Sequence, residues 1–382
     1  MSSRLALVIH ALNSGGAERV LASLASHWAD SGREVTLITL AEMATDRYPL
    51  DPRVTRVGLG LQKPSRSAWD ALRNNWRRIR NLRKAIHESG ADTVVSFTDQ
   101  MNVLALLASR RARWPVVIAE RNDPRRQRMS RLWERLRRWM YPRCAAAVVQ
   151  TDGVAQYVRG LVGRKPVYVI ANAVEAPTAK PVSSEVPQSP RPYIVAMGRL
   201  DVQKGFDLLI EAFSRIAVER AELDLRIIGE GPQRAILEQQ IADCGLEGRV
   251  QLAGWREHPE SVLQAASFFV LSSRWEGFPN ALLEAMACGL PAISFDCDSG
   301  PGEIIRHEVD GLLVPPEEVP ALAAAIDRLW GDAEFRRRMA ERARDVITRF
   351  NEAEFFRRWD EVLQSTCPSS AVCSENAAAG RP

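Results

Sequence analysis

Two doubly wound α/β domains are the fold class this sequence predicts, and three observations predict it. Short apolar, β-branched runs alternate with segments of helical periodicity along most of the chain. The alternation is interrupted once, by a Pro- and Ser-rich stretch at residues 175–192, and then restarts. A chain of 382 residues is too long for one ordinary compact domain and fits two, each with its own core.

In the first half, residues 5–10 form an apolar run that is closed by Gly15 and Gly16. Val20, Leu21, Leu24 and Trp28 then recur at helical spacing. Residues 35–40, 93–97, 116–119, 145–150 and 167–170 repeat the strand pattern, with helical segments between most of them. After the linker, strands at 193–197, 225–228, 250–252, 268–271 and 292–295 alternate with helices at 207–216, 235–244, 261–266, 280–287 and 319–330. Such alternation implies a parallel sheet covered on both faces. The expected division is a domain over 1–174, a linker over 175–192 and a second domain over 193–349, with a cleft between them. A last amphipathic segment within 350–365 is expected to return to the first domain, and 366–382 reads as a disordered tail.

Hydrophobic residues at 46% and charged residues at 26% are the shares of a soluble globular protein. No stretch approaches the roughly 20 apolar residues that span a bilayer, and the first apolar run is too short for a secretory h-region. The expectation is a cytoplasmic protein, attached at most to the surface of the inner membrane. Six cysteines without a CxxC pair indicate neither a zinc site nor a disulfide framework. The net charge of +4 conceals a division. Residues 1–180 carry 30 Lys and Arg against 15 Asp and Glu, and the remainder 21 against 32. The basic half is suited to something anionic.

Three loops carry candidate chemistry. At 197–205 (MGRLDVQKG) a strand ends in glycine and offers Arg199 and Lys204 before a helix. Ligands of open α/β sheets bind beyond the carboxyl ends of the strands, and a guanidinium with an ammonium suits a diphosphate. Two solvated surface cations would look the same. Gly229-Glu230-Gly231-Pro232 follows another strand end, where Gly229 lets backbone approach a flat ligand; that pattern alone is weak. At 276–289, Gly277 and Pro279 place Glu276 in a loop, Asn280 can cap a helix, and Gly289 ends it. Glu284 sits on that helix among apolar neighbours and needs a polar partner, which a ribose diol would supply. The helix N-terminus favours phosphate oxygens. An ordinary surface helix could also carry two glutamates at this spacing.

With all of these at successive strand ends of one domain, the sequence resembles the family 4 glycosyltransferases. The matching residues are 198–205, 229–232, 252–255 (LAGW), 276–291 and 310–316 (DGLLVPP), with Gly15-Gly16-Ala17-Glu18-Arg19 and Asn172-Ala173-Val174 in the first half. The resemblance spans residues 5–365 and implies the GT-B fold, two Rossmann-like domains facing a cleft, and a retaining enzyme that needs no metal or other cofactor. It implies that Arg199 and Lys204 hold the donor diphosphate, that Glu276 contacts the transferred sugar, and that Glu284 binds the ribose. Backbone amides of Phe278, Asn280 and Ala281 would lie near sugar and phosphate, Pro279 would shape their turn, and Gly15 and Gly16 would let a loop close on the donor. Many relatives carry a histidine after the strand at 116–119; here the loop reads Glu120-Arg121-Asn122-Asp123. Arg121 or Asp123 orients the acceptor, or the two pair with each other.

Trp69, Leu72, Trp76, Ile79, Leu82 and Ile86 repeat at helical intervals, interleaved with Arg73, Arg77, Arg80 and Lys84 among other cations. Residues 125–143 mix Leu132, Trp133 and Trp139 with seven arginines before Tyr141. Arginine-rich amphipathic helices with tryptophan suit an anionic membrane surface; they also serve as core-packing helices with a solvated face. Among the family, the resemblance is to bacterial enzymes that extend lipid-linked glycans. It implies a nucleotide-sugar donor, UDP-linked, and an undecaprenyl-diphosphate glycan as acceptor. No zinc finger, RNP-like or helix-turn-helix signature supports nucleic acid as a partner. A soluble acceptor, or a nucleotide-sugar 2-epimerase on the same architecture, is the alternative.

Overall fold

A computed structural model describes residues 4–366 apart from 14, 64–65, 111, 113, 128 and 178–190. Most of the 175–192 linker and nearly all of the 366–382 tail therefore lie outside the described residues; Thr366 itself closes the last helix. The chain forms two compact units, residues 1–171 with 353–382, and residues 172–352.

The first unit contains β1 (Arg4–Ile9), α1 (Gly16–Asp30), β2 (Glu34–Thr39), β3 (Thr55–Gly58) and α2 (Ala68–Glu88). It continues with β4 (Thr93–Phe97), α3 (Asp99–Ser109), β5 (Val116–Ala119), α4 (Arg131–Met140), β6 (Ala146–Val149), α5 (Asp152–Val162) and β7 (Val167–Val169). Its seven strands are all parallel in the order β3-β2-β1-β4-β5-β6-β7. Because β1, β4, β5 and β6 are covered on both faces, their side chains are almost uniformly apolar. Strand β3 escapes sequence reading because it lies at the sheet edge: Thr-Arg-Val-Gly is exposed or half-buried along its length and has no apolar run.

Right-handed crossovers put α1 on one face of this sheet and α2 to α5 on the other. The core under α2 to α5 holds Leu82, Ile86, Met101, Leu104, Met140 and Val158. On the opposite face Trp28 of α1 is wholly buried. There the last helix, α14 (Glu352–Thr366), meets it: Trp359 stands edge-on to Trp28 at 6.1 Å and stacks on Phe97 at 5.7 Å. The Trp28 Nε1–H donates to Asp360 Oδ1 at 3.0 Å, and Arg33 pairs with the same carboxylate oxygen at 3.0 Å.

The second unit follows the same logic with β8 (Tyr193–Met197), α6 (Phe206–Ile216), β9 (Asp224–Ile228), α7 (Arg234–Asp243), β10 (Val250–Gly254), α8 (Glu260–Gln264) and β11 (Phe269–Leu271). After these come α9 (Asn280–Ala287), β12 (Ala292–Phe295), α10 (Pro301–Ile304), β13 (Gly311–Val314), α11 (Val319–Gly331), α12 (Ala333–Ala343) and α13 (Val346–Arg349). Six parallel strands run in the order β10-β9-β8-β11-β12-β13. The strand order reverses at β8 and β11, the switch point where an open α/β sheet leaves a crevice for ligand at its carboxyl edge.

Candidate active site

Strand β8 ends at Met197 in the second unit, and the chain turns through Gly198–Gly205 before α6. Asp201 caps a single tight turn, its carboxylate accepting from the Lys204 amide at 3.3 Å. Gly205 then takes φ +60°, and a Cβ there would collide with the Ser272 carbonyl oxygen, so only glycine fits. The Lys204 stem folds back across Gly198, close enough that a Cβ at 198 would lie 3.1 Å from it. This path carries Lys204 Nζ to Glu276 Oε1, 2.6 Å away.

Glu276 lies in the loop after β11 and is buried at 5% exposure. Its Oε1 also accepts from Ser273 Oγ at 2.6 Å. A buried carboxylate needs such donors, because an uncompensated charge away from water is costly. The two loops are tied directly: Ser272 Oγ donates to the Lys204 carbonyl at 2.9 Å, and Gln203 Nε2 to the Trp275 carbonyl at 2.9 Å. Arg274 spans the seam, donating through both terminal nitrogens to Asp207 at 2.8 and 2.6 Å and to the Val202 carbonyl at 2.9 Å. Ser273, Gln203 and Arg274 were missed by sequence reasoning. Their only sequence signal is adjacency to Glu276 and Lys204.

The structure thus brings Lys204 and Glu276 together across two strand ends. Arg199 is placed differently: it is 69% exposed, and its Nε donates to Asp201 Oδ2 at 2.7 Å. Gly229 has φ +151°, and a Cβ on it would run into the Gly198 carbonyl oxygen, so the ends of β8 and β9 are packed backbone on backbone. Glu230 pairs with Arg234 at 2.8 Å.

Helix α9 corrects one expectation. Asn280 is its first residue, not its cap; Pro279 occupies the cap position without a side-chain hydrogen bond. The Asn280 side chain accepts instead from Asn172 Nδ2. The amides of Asn280 and Ala281 have no intrahelical acceptor, as in the first turn of any helix. Gly277 offers its carbonyl to Ser299 Oγ at 3.1 Å, and buried Phe278 packs edge-on against Phe350 at 5.4 Å. Glu284 is half-buried one turn into the helix.

In the first unit Gly15 caps α1 with extended backbone and Gly16 opens it. Arg121 is buried at the carboxyl end of β5, its guanidinium 4.9 Å from the Phe97 ring centroid, and burial pushes its pKa down to about 9. Asp123, two residues on, is held by Arg125 at 2.6 Å. Glu120, beside Arg121, is a buried acid that the sequence did not single out. It is wholly enclosed and accepts from the Tyr141 hydroxyl. Burial, reinforced by the nearby Asp99 charge, pushes it up to about 7, against the pull of Arg137. Asn102 Nδ2 ties this group to the Ala119 carbonyl at 3.1 Å. His10, following β1, is held down to about 4 by burial and the Arg78 charge. Arg73, Arg77, Arg80 and Lys84 all lie exposed along α2 with Trp76, while Leu82 and Ile86 of the same stripe are buried. The stripe is divided: its C-terminal half packs and its N-terminal half does not. Among the described residues no three His, Cys, Asp or Glu side chains gather as metal ligands, and no helix is long and apolar enough to cross a membrane.

Comparison with known proteins bears on this arrangement. The model of glycosyl transferases group 1 matches residues 182–346, and that of glycosyltransferase family 4 matches residues 14–176. The chain is 36% identical over 230 residues to an exopolysaccharide phosphotransferase of Streptomyces coelicolor, covering 58% of this chain and 23% of that one. It is 26% identical over 361 residues to an α-1,4-N-acetyl-D-galactosaminyltransferase of Campylobacter jejuni acting on a GalNAc-containing diphospho-undecaprenol, covering 94% and 98% of the two chains. The chain therefore spans about a quarter of the first relative and nearly all of the second. Among solved structures, HepE of Anabaena in complex with UDP superposes with a TM-score of 0.76 at 21% identity, over 95% of this chain and 100% of that one.

Proposed function

Because the chain belongs to the family 4 glycosyltransferases of GT-B fold, we propose that it is a retaining enzyme moving a sugar from a UDP-sugar to an undecaprenyl-diphosphate-linked glycan. The observation that carries this reading is the Lys204–Glu276 pair, 2.6 Å apart at the switch point of the second unit. An ammonium has three donors, so Lys204 can keep Glu276 and still take phosphate oxygens of the donor. Charge develops on the leaving diphosphate as the glycosidic bond breaks, and Lys204, with Arg199 swung from Asp201, neutralises it. The α9 amides of Asn280 and Ala281, with that of Phe278, add donors at the positive end of the helix dipole. Glu276, fixed by Lys204 and Ser273, presents its carboxylate to a sugar hydroxyl, and Glu284 takes the ribose diol. With the leaving group neutralised by side chains and helix dipole, the reaction needs no divalent cation.

The Campylobacter relative, with its N-acetylhexosamine and diphospho-undecaprenol substrate, supports an N-acetylhexosamine or hexose as the transferred sugar and a lipid-linked acceptor. The basic face of α2, with Trp76 between Arg73, Arg77, Arg80 and Lys84, suits the anionic surface that carries such an acceptor. Arg121, at the carboxyl edge of the same unit, is the cation we assign to its diphosphate or glycan. This reading makes the enzyme a peripheral protein of the cytoplasmic face of the inner membrane.

The test is transfer of radiolabelled sugar from a panel of UDP- and GDP-sugars to short undecaprenyl-diphosphate glycans in excess EDTA. The account expects a lipid product with the donor's anomeric configuration. Donor turnover to a 2-epimer without acceptor, an inverted product, or transfer only after metal is restored would each reject part of it.

A further inference from the structure

Right-handed crossovers set α2, α3 and α4 side by side in one layer on the first unit, and the outer surface of that layer is unlike any other on the molecule. Among the described residues every exposed Trp or Leu lies on it: Trp69 at 81%, Leu72 at 63% and Trp76 at 59% on α2, Leu132 at 66% and Trp139 at 42% on α4. A crossover helix runs antiparallel to the strands it joins, so the α2 group sits at the carboxyl edge of the sheet and Trp139 at the amino edge.

At that amino edge three elements converge on one ring. Arg110, ending α3, and Arg143, in the turn after α4, place their guanidinium carbons 4.9 and 4.8 Å from the Trp139 ring centroid. Arg143 also donates to the Trp139 carbonyl. Both arginines are exposed, and neither has a carboxylate within ion-pair distance among the described residues. Arg337 of the second unit and Arg357 of α14 are held otherwise: Arg337 is bridged by Glu334 and Glu341, and Arg357 by Glu354 and Glu361. The aromatic face fixes two like charges within about one Debye length, roughly 10 Å at 0.1 M salt, without an acid to offset them. An anion that meets both finds their ordering cost already met.

We propose that Arg110, Trp139 and Arg143 form a seat for the phosphate of an anionic phospholipid, so that this unit lies along the bilayer on the whole outer face of its α2–α4 layer. Trp139 rests at head-group depth while Trp69 and Trp76 enter more deeply. This deepens the membrane reading above and rests on it.

The full-length protein is sedimented with phosphatidylglycerol–phosphatidylcholine vesicles, and tryptophan emission is followed with a head-group-depth spin-label quencher. Arg110→Gln with Arg143→Gln is expected to weaken binding by roughly fivefold for each cation lost, the equivalent of about 1 kcal/mol near an anionic surface. Arg215→Gln with Arg337→Gln, an equal charge change on the second unit, is expected to leave affinity within twofold. Trp139→Phe is expected to remove a quenched component of the emission. Vesicle binding that survives the Arg110/Arg143 change with no quenching at Trp139 overturns the seat and leaves an α2 contact standing. Absence of vesicle binding by the unaltered protein overturns both readings. Displacement by millimolar inorganic phosphate, with no preference for anionic vesicles, assigns the seat to a soluble anion and overturns the lipid proposal.

Discussion

Lys204 and Glu276 are far apart in sequence and share one short hydrogen bond, and removing Lys204 leaves Glu276 buried without its counter-charge. Lys204→Ala is expected to lower kcat/KM for transfer by roughly 10²–10³-fold, the usual cost of one donor to developing charge. Circular dichroism should show the fold retained; turnover at the unaltered rate would remove Lys204 from the site. Gly229→Ala drives a Cβ into the Gly198 carbonyl at φ +151°, so it is expected to lower thermal stability and donor affinity together, whereas Gly160→Ala, where a Cβ meets open space, should not. Glu120 gives a pH signature. Burial holds its native pKa at about 7, above the ordinary glutamate value of 4.5. The folded state therefore holds the proton more tightly, and its stabilising share, present below pH 4.5, is lost as pH rises toward 7. His10 acts in the opposite sense, losing stability as pH falls from 6.5 toward 4. Glu120→Gln does not titrate, so the unfolding free energy of the variant should gain on that of the parent between pH 5 and 7.5. A constant gap would contradict the buried carboxyl. At this scale the sequence exposed the charged members, Lys204, Glu276 and Arg121, through loop setting and family resemblance. It could not expose Ser273, Tyr141 or Asn102, whose roles arise only from the long-range packing that brings them there.

Among the elements, period and composition sufficed for strands buried on both faces and for helices with one apolar stripe. They failed where burial was partial. Strand β3 has no apolar run, and the cap of α9 is set by Pro279 because the Asn280 side chain is engaged by Asn172. The α2 stripe looked uniform because periodicity does not say where along a long helix the core stops. The last helix shows what packing adds: Trp359 fills a buried slot between Trp28 and Phe97. Trp359→Ala is expected to cost about 3–5 kcal/mol, the range for deleting a large buried aromatic. Denaturant titration reads this directly, and a loss under 1 kcal/mol would show that α14 is not integral to the first unit.

Across the whole molecule, charge and chemistry divide between the units. The acidic second unit holds the pair assigned to the donor, and the basic first unit holds Arg121 and the Trp- and Arg-bearing layer. That division was legible in the sequence count; which cations are paired was not, since Arg199, Arg125 and Arg337 prove to be bound by acids while Arg110 and Arg143 are not. The central claim is that the second unit binds a nucleoside diphosphate through Lys204, and thermal unfolding with UDP, GDP and no nucleotide, in EDTA, tests it most directly. A ligand of the native state at a hundred times its Kd stabilises by about 2.7 kcal/mol, so the account expects a raised midpoint with UDP for the unaltered protein and none for Lys204→Ala. No shift with either nucleotide, or an equal shift in the variant, would contradict it.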